Sequence, residues 1–251
     1  TIDTLVLADA TNEVTLGAVA QNITGNAGAD TVTMINSATG TIALAAGTNI
    51  VNVGNSVDIT GAAITAVDGT YDVNLTGTDA SSTMTSAQLK AATSFTESSV
   101  GAKTVTVTGA LTAETISATI DTLVLADATN EVTLGATGQS VTGNAGADTV
   151  TMIDGATGTI ALAAGTNIVN VGDNLDISGA TLSKSGEGTL ALNLSGSSIS
   201  SVTVAAAHLT TADTMTEASD GAKTVTTVGA LTGYTINTKI DTLVLADATN
   251  E

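Results

Sequence analysis

The residues with the clearest potential for chemistry are two aspartates that follow glycine-rich turns. The nonapeptide GNAGADTVT fills residues 25–33 and recurs unchanged at 143–151, so Asp30 and Asp148 occupy the same place in both copies. A carboxylate beside such a turn can serve as an oxygen ligand for a cation, or it can hydrogen-bond the backbone of its own loop. The elements that surround the nonapeptide must decide between these two roles.

The rest of the chain offers no recognisable set of catalytic groups, and we predict that the protein is not an enzyme. There is no cysteine, and the one histidine, His208, aligns with Gln88 of the other repeat. The 24 acidic residues and 5 lysines give a net charge of −19, which opposes binding to nucleic acid phosphates. Because the apolar stretches are short and interrupted by Thr, Asn and Asp, we also predict no membrane insertion.

The chain is organised as a tandem array. The segment IDTLVLADATNE begins at residues 2, 120 and 240, and 52 of the 62 residues in 1–62 are identical to those in 119–180. Internal repeats of this kind define the architecture before any local feature does. We therefore predict repeat unit 1 at 1–118, repeat unit 2 at 119–238 and the start of a third repeat at 239–251, in a chain with neighbours beyond both ends.

A finer period inside each unit indicates the fold. The apolar residues Leu5, Val14, Ile23 and Val32 are spaced nine residues apart, in short alternating runs that are separated by Gly, Asn, Asp and Ser. This pattern predicts an all-β parallel β-solenoid, a β-roll or β-helix, built from tandem repeats of about 118 residues. The alternative is a string of two immunoglobulin-like sandwiches, which would not explain the nine-residue period. Helical signal is weak, with at most one turn at 85–93 and at 205–213.

Comparison of the two repeats predicts the positions or partners of four individual residues. Tyr71 and Phe95 align with large apolar residues of the second unit, so they are predicted to fill the core. Lys103 and Lys223 recur, each six residues after a glutamate. We expect these lysines to pair with acids on a neighbouring coil or chain, at little gain in stability if the pairs are exposed.

The nonapeptide resembles the calcium-binding repeat of the RTX family of secreted bacterial proteins, G-G-x-G-x-D-x-U-x. Gly25, Gly28, Asp30 and Val32 match its first, fourth, sixth and eighth positions, and Asn26 replaces its second glycine. The resemblance implies a β-roll in which turns 18 residues apart share each calcium ion.

The ligand set that this resemblance implies is incomplete. The residue 18 positions before Asp30 is Asn12, in a turn without glycine, and 18 positions after Asp30 the pattern has slipped by one residue. Calcium needs six to eight oxygen ligands, so each unit offers one good half-site with an imperfect partner. The residues implied as the calcium site in the two units are Asn12, Asn26, Gly28, Asp30, Asn130, Asn144, Gly146 and Asp148. The alternative is a tight turn in which the aspartate bonds its own loop.

The overall composition resembles that of large exported bacterial surface proteins of the surface-layer and adhesin type. We therefore expect an extracellular, cell-surface location and a structural role in a surface layer or filament. Its partners would be other copies of the chain, joined head-to-tail or laterally and possibly stabilised by calcium. The alternative is an adhesin-type extender or binding module that recognises a surface or a glycan, through the divergent stretches 63–100 and 181–220.

Overall fold

The computed structural model describes residues 2–197, 199–246 and 249–250. It divides into two compact units, Thr1–Gly109 with Thr119–Thr122, and Ala110–Ala118 with Leu123–Glu251. Each unit is a parallel β-solenoid, which confirms the predicted fold class. The strand pairs found in the described residues are parallel, whereas an immunoglobulin-like sandwich is built from antiparallel strands. The repeat units at 1–118, 119–238 and 239–251, which were defined from the sequence, remain a prediction.

The first unit contains three parallel arrays of strands and one short helix. The elements are β1 Thr4–Val6, β2 Glu13–Thr15, β3 Asn22–Thr24, β4 Thr31–Thr33, β5 Thr41–Leu44, β6 Gly47–Val53, β7 Val57–Asp58, β8 Ala63–Ala66, β9 Gly69–Leu75, β10 Ser81–Thr85, α1 Ser86–Ala91, β11 Phe95–Glu97 and β12 Thr104–Thr108. Neighbouring strands follow the orders β1-β3-β5-β8, β11-β9-β6-β4-β2 and β12-β10-β7.

The second unit repeats this arrangement, and β14 Thr122–Val124 lies at the division between the units. Its elements are β13 Glu114–Thr115, β15 Asn130–Thr133, β16 Ser140–Thr142, β17 Asp148–Thr151, β18 Thr159–Leu162, β19 Thr166–Val171, β20 Thr181–Lys184, β21 Thr189–Leu194, β22 Ser200–Ala205, α2 Ala206–Thr211, β23 Thr214–Glu217, β24 Lys223–Val228 and β25 Thr242–Val244. Neighbouring strands follow the orders β13-β15-β17-β19-β21-β23, β20-β18-β16 and β22-β24-β25.

The core of each unit is a set of columns in which apolar side chains of successive coils stack. In the first unit one column runs through Val14, Val32, Val51, Val73 and Phe95. Because side chains alternate along a strand, every second residue of β6 and β9 points inward, and apart from the exposed Ile50 the outward neighbours are threonine, asparagine or aspartate. The thin core therefore follows directly from the two-residue alternation.

The aromatic residues Tyr71 and Phe95 lie in this core, as predicted. Tyr71 is 3% exposed and Phe95 is 9% exposed, and Met215 takes the place of Phe95 in the corresponding column of the second unit. These columns accept one large side chain without a change of fold because the coil can widen: paired residues are 18 positions apart in the first coils and 22 positions apart around β9.

Two single helices of six residues interrupt the strands, close to the predicted extent. The α1 helix begins with a capping box, in which the Thr85 hydroxyl accepts from the N–H of Gln88 and the Gln88 side chain accepts from the N–H of Thr85. Among the described residues, no helix has the length and apolar content needed to cross a membrane.

Candidate functional site

Each copy of the nonapeptide forms a corner at which an aspartate meets an asparagine of the preceding coil. The Nδ2 atom of Asn12 donates to Oδ1 of Asp30 over 2.7 Å, and Asn130 donates to Asp148 over 2.8 Å. The structure thus brings together the predicted residues that are 18 positions apart. Because Nδ2 of Asn12 also donates to two backbone carbonyls, the asparagine presents its nitrogen rather than its oxygen to the carboxylate.

The remaining predicted residues of the site shape the turn itself. Gly28 has a φ of +134°, and a Cβ atom there would lie 2.3 Å from the carbonyl oxygen of Ala10. Gly146 has a φ of +125° and an equivalent contact. Only glycine combines that backbone angle with so close an approach between coils. The side chains of Asn26 and Asn144 donate to backbone carbonyls 19 residues earlier, over 2.7 Å in each case.

Asparagines at the corners share one geometry, which we call the corner slot. In Asn12 the Nδ2 atom reaches the carbonyls of the residues four and two positions earlier, Ala8 and Ala10, over 3.1 and 2.8 Å. Asn49 repeats these contacts with Ala45 and Gly47. In the second unit the slot is occupied by Asn130 and Asn167. In the slot one amide nitrogen thus bridges two carbonyls of the turn that precedes it.

Asn49 was missed by the sequence reasoning because the coil lengthens by one residue after Asp30. The Asn49 side chain accepts from the N–H of Asp30 over 3.0 Å, across 19 positions, whereas the 18-residue period predicts a partner at Thr48. Asn167 stands in the same relation to Asp148. The signal that could have found them is an alanine or glycine two residues before each slot residue, as at Ala10, Gly28 and Gly47.

A buried lysine lies at the corresponding corner of each repeat, and at Lys103 it takes the slot. The Lys103 side chain is fully buried, and its Nζ donates to the carbonyls of Ser99 and Gly101, four and two positions earlier, over 2.7 Å each. It also lies 3.1 Å from a carboxylate oxygen of Glu97. Lys223 is equally buried and donates to the carbonyl of Ser197 and the hydroxyl of Ser219. The acid that pairs with Lys103 is thus the nearby Glu97 rather than one on a neighbouring coil or chain. The corresponding Glu217 pairs with Lys239 instead of Lys223.

The two aspartates fill the slot with an oxygen where the other corners have a donor. Oδ1 of Asp30 accepts from Asn12, just as the side-chain oxygen of Asn49 accepts from the N–H of Asp30. Oδ1 of the aspartate therefore corresponds to the amide oxygen of a slot asparagine, and Oδ2 corresponds to its Nδ2. Asp30 is 1% exposed and Asp148 is fully buried, and Oδ2 of each has no hydrogen-bond partner among the described residues. Both Oδ2 atoms lie close to the first glycine of the nonapeptide.

Burial sets the electrostatics of this corner. It raises the pKa of Asp148 above its ordinary value, and the hydrogen bonds from Asn130 oppose that rise. A buried carboxylate oxygen without a donor favours the protonated acid because the charged form loses its hydration.

Each corner by itself supplies only part of a calcium ligand set. Calcium needs six to eight oxygen ligands, and each corner offers one free carboxylate oxygen beside an amide nitrogen. No group of three or more acidic, histidine or cysteine side chains within the described ranges could hold a metal. Calcium binding at the eight residues inferred from the sequence therefore stays a prediction, and a titration of the protein tests it.

His208 has a structural position rather than a place in a cleft. Its Nδ1 accepts from the N–H of Ala205, which leaves the proton on Nε2 to donate to the carbonyl of Ala180 over 2.9 Å. Gln88 makes matching contacts at the start of α1, with its side-chain nitrogen on the carbonyls of Ile59 and Ala62. Burial lowers the pKa of His208, so the neutral ring is favoured.

Comparison with known proteins adds no family to this description. No family model, curated protein or solved structure matches the chain.

Proposed function

We propose that this chain is a structural repeat segment of an extracellular bacterial assembly, a surface layer or a filament, in which copies associate head-to-tail or laterally. The observation that carries this proposal is the stacking of nearly identical coils in parallel register, with Leu5 beside Ile23 and Val225 beside Leu243. A stack of this kind can be continued by any coil with the same period. Val6, on the outer face of β1, is 63% exposed.

The backbone of these coils supports association by the same geometry that builds each unit. Strand β1 lies at the end of the order β1-β3-β5-β8, so one of its edges has no partner strand in that array. An open solenoid edge can add another coil, because the backbone N–H and C=O groups along it are the template for the next strand. This favours a partner that is itself a coil of the same kind.

Charge sets the conditions under which copies can meet. With a net charge of −19, chains repel one another at low ionic strength. Salt or divalent cations would screen this repulsion. The RTX-like identity, the cell-surface location and stabilisation by calcium belong to this proposal, and they are supported by the solenoid fold and by the match of Asp30 and Asp148 to the nonapeptide.

Light scattering after size exclusion, together with negative-stain microscopy, tests the proposal. We expect oligomers or filaments whose population rises with protein concentration and with added salt or calcium. Val6→Asp should reduce association, whereas Val67→Asp should not, since Val67 is similarly exposed at 64% but lies away from the β1 edge. Dispersed monomers at high concentration under all of these conditions would overturn the structural role.

A second candidate function, an adhesin-type module that binds a surface or glycan, is favoured by one difference between the repeats. Val100 is 85% exposed in the divergent stretch 63–100, and Asp220 occupies the aligned place in the second repeat. A binding surface would need such non-repeated residues. Replacing 98–101 by the aligned sequence of the second repeat should abolish binding to a glycan array or cell surface if this function holds, and unchanged binding would exclude the loop.

A further inference from the structure

The two units differ at one place on the coil that carries the helix. In the second unit Lys184, the last residue of β20, forms an ion pair with Asp213. The equivalent residues of the first unit are Ala66, the last residue of β8, and Thr93. We propose that the space they leave in the first unit binds a free α-amino acid, whose ammonium and carboxylate groups take the places of those two side chains. This goes beyond self-association and does not depend on it.

Backbone hydrogen bonds establish the correspondence and show what the first unit lacks. The N–H of Thr93 donates to the carbonyl of Tyr71 over 2.8 Å, as the N–H of Asp213 donates to the carbonyl of Leu190 over 2.8 Å. Oδ2 of Asp213 in turn accepts from the N–H of Leu190 over 2.8 Å. Thr93 has no carboxylate to offer the N–H of Tyr71 in the same way. A ligand carboxylate would supply that acceptor.

A cavity of about 280 Å³ lies at this place in the first unit. Ala66, Tyr71 and Thr93 line it, together with Ala91 at the end of α1. Pockets for drug-sized ligands measure about 300–1,000 Å³, so this cavity suits a smaller molecule.

Strand β8 offers further polar groups to the cavity. Among the described residues it is the last strand of the order β1-β3-β5-β8, because the next coil has α1 where a strand would continue the array. The N–H groups of Ala63 and Val67 donate to the preceding coil. Because the backbone groups of a parallel strand alternate between its two sides, those of Ile64 and Ala66 face the cavity that these residues line. Their carbonyls can accept from a ligand ammonium.

Hydrogen bonds of the protein itself hold the walls of the cavity in place. The Tyr71 hydroxyl donates to the carbonyl of Gln88 in α1 over 3.3 Å. The side-chain nitrogen of Gln88 donates to the carbonyls of Ile59 and Ala62 over 2.7 and 2.8 Å. These bonds join α1 to β9 and to the turn before β8. A site that is already formed loses little conformational entropy when a ligand binds.

Charge explains why the ligand should carry both groups. In the second unit the hydrogen bonds from Lys184 and from the N–H of Leu190 lower the pKa of Asp213, so its carboxylate is an anion at neutral pH. The described residues that line the first unit's cavity include no lysine, and the chain has a net charge of −19. A simple carboxylate would therefore be repelled. An α-amino acid brings its own ammonium beside the carboxylate and is neutral overall.

Titration of the full chain with glycine, alanine and serine, followed by amide NMR spectra, tests the proposal. We expect saturable binding of one molecule per chain. The Tyr71 amide proton should shift downfield on saturation as it donates to the carboxylate, while the Leu190 amide proton should not move. Acetate and methylammonium should bind at least about tenfold more weakly, because each lacks one partner of the pair.

Exchanging the two pairs of residues gives matched variants. Ala66→Lys/Thr93→Asp installs the ion pair of the second unit in the first and should abolish binding. Lys184→Ala/Asp213→Thr opens the second unit and should raise the stoichiometry to two molecules per chain. Both variants keep the net charge of the parent, and both use residues that the fold already holds at the equivalent place. Circular dichroism verifies that each is folded.

The outcomes decide the proposal without reference to association. A Tyr71 shift that is lost in Ala66→Lys/Thr93→Asp supports it. No saturable binding at millimolar concentrations, or binding unchanged in that variant, would overturn it, and acetate that binds as tightly as glycine would overturn the zwitterionic ligand. If that variant does not fold, Lys184→Ala/Asp213→Thr decides, since a stoichiometry that stays at one would contradict the equivalence of the two sites. Self-association is judged separately, by light scattering.

Discussion

Replacing Asp148 by asparagine should stabilise the protein at neutral pH, although it removes a buried charged group that lies in a predicted ligand set. The Oδ2 atom of Asp148 is buried without a partner, and asparagine would put a donor in its place. In Asn130 that donor reaches the carbonyls of Ala126 and Ala128 over 3.1 and 3.0 Å. Asp148→Asn should complete the equivalent slot, while its remaining oxygen still accepts from Asn130.

The magnitude follows from the cost of the unpaired oxygen. A buried polar group without a partner costs about 1–3 kcal/mol, so the variant should gain about that much in free energy of unfolding. For a chain of this size each kcal/mol shifts the melting temperature by about 2–4 °C, which predicts a rise of roughly 2–12 °C. Asp127→Asn is the charge-matched control, because Asp127 is exposed and its Oδ1 acceptor for the N–H of Ala145 is kept.

The pH dependence of the gain has a definite sign. Burial raises the pKa of Asp148 in the folded chain, so the folded state holds the proton more tightly than the unfolded state. The contribution of Asp148 to the stability of the parent protein is then greatest below the unfolded pKa of about 3.9 and falls as pH rises through the folded pKa. The advantage of Asp148→Asn should therefore be small at acidic pH and reach its full size at pH 7.

Thermal melting in EDTA, for parent and variants across this pH range, measures the effect. A lower melting temperature for Asp148→Asn at pH 7, with Asp127→Asn unchanged, would refute the reasoning, since it would mean that Oδ2 makes a stabilising contact as the anion. The same melts with added calcium test the calcium prediction. An ion bound to the folded state must raise the melting temperature with its concentration, and a rise that Asp148→Asn abolishes would place the ion at this corner.

Three further substitutions probe the corners and the helix start. Lys103→Met should lower the free energy of unfolding by about 2–4 kcal/mol in denaturant titrations because two turn carbonyls lose their donor; a loss no larger than that of Lys90→Met on α1 would contradict the slot. Gly28→Ala should cost more than about 2 kcal/mol from its positive φ and backbone contact, whereas Gly138→Ala, with open space around its Cβ, should be tolerated. The lowered pKa of His208 means that stability is lost as pH falls below about 6.5, so His208→Gln should melt progressively higher than the parent between pH 7 and pH 5; parallel melting curves would exclude a buried neutral ring.

Much of the architecture could be predicted because it depends on short-range pattern. The nine-residue spacing of Leu5, Val14, Ile23 and Val32 became two stacked pairs, Leu5 with Ile23 and Val14 with Val32, 18 positions apart. A side chain that points inward once per coil must repeat at the length of the coil, so the period and the parallel fold come from the same cause.

The corners could be predicted only in part. The pairing of Asn12 with Asp30 follows from the 18-residue spacing, but the partner on the other side, Asn49, depends on a one-residue lengthening that no local pattern requires. The equivalence of Lys103 with these asparagines was equally hidden, because the two side chains share no chemistry beyond a donor nitrogen at the end of a stem.

The sequence by itself determined the repeat, the parallel solenoid and the place of the two aspartates in identical turns. Only the tertiary structure decided what those aspartates face. The carbonyls of Ala8 and Ala10 accept from Nδ2 of Asn12 and so orient its amide with the nitrogen, rather than the oxygen, toward Asp30. Strand periodicity depends only on the order of residues along the chain, so the sequence is enough to predict it. The direction of a hydrogen bond at a corner depends on all the donors and acceptors around it, so it requires the tertiary structure.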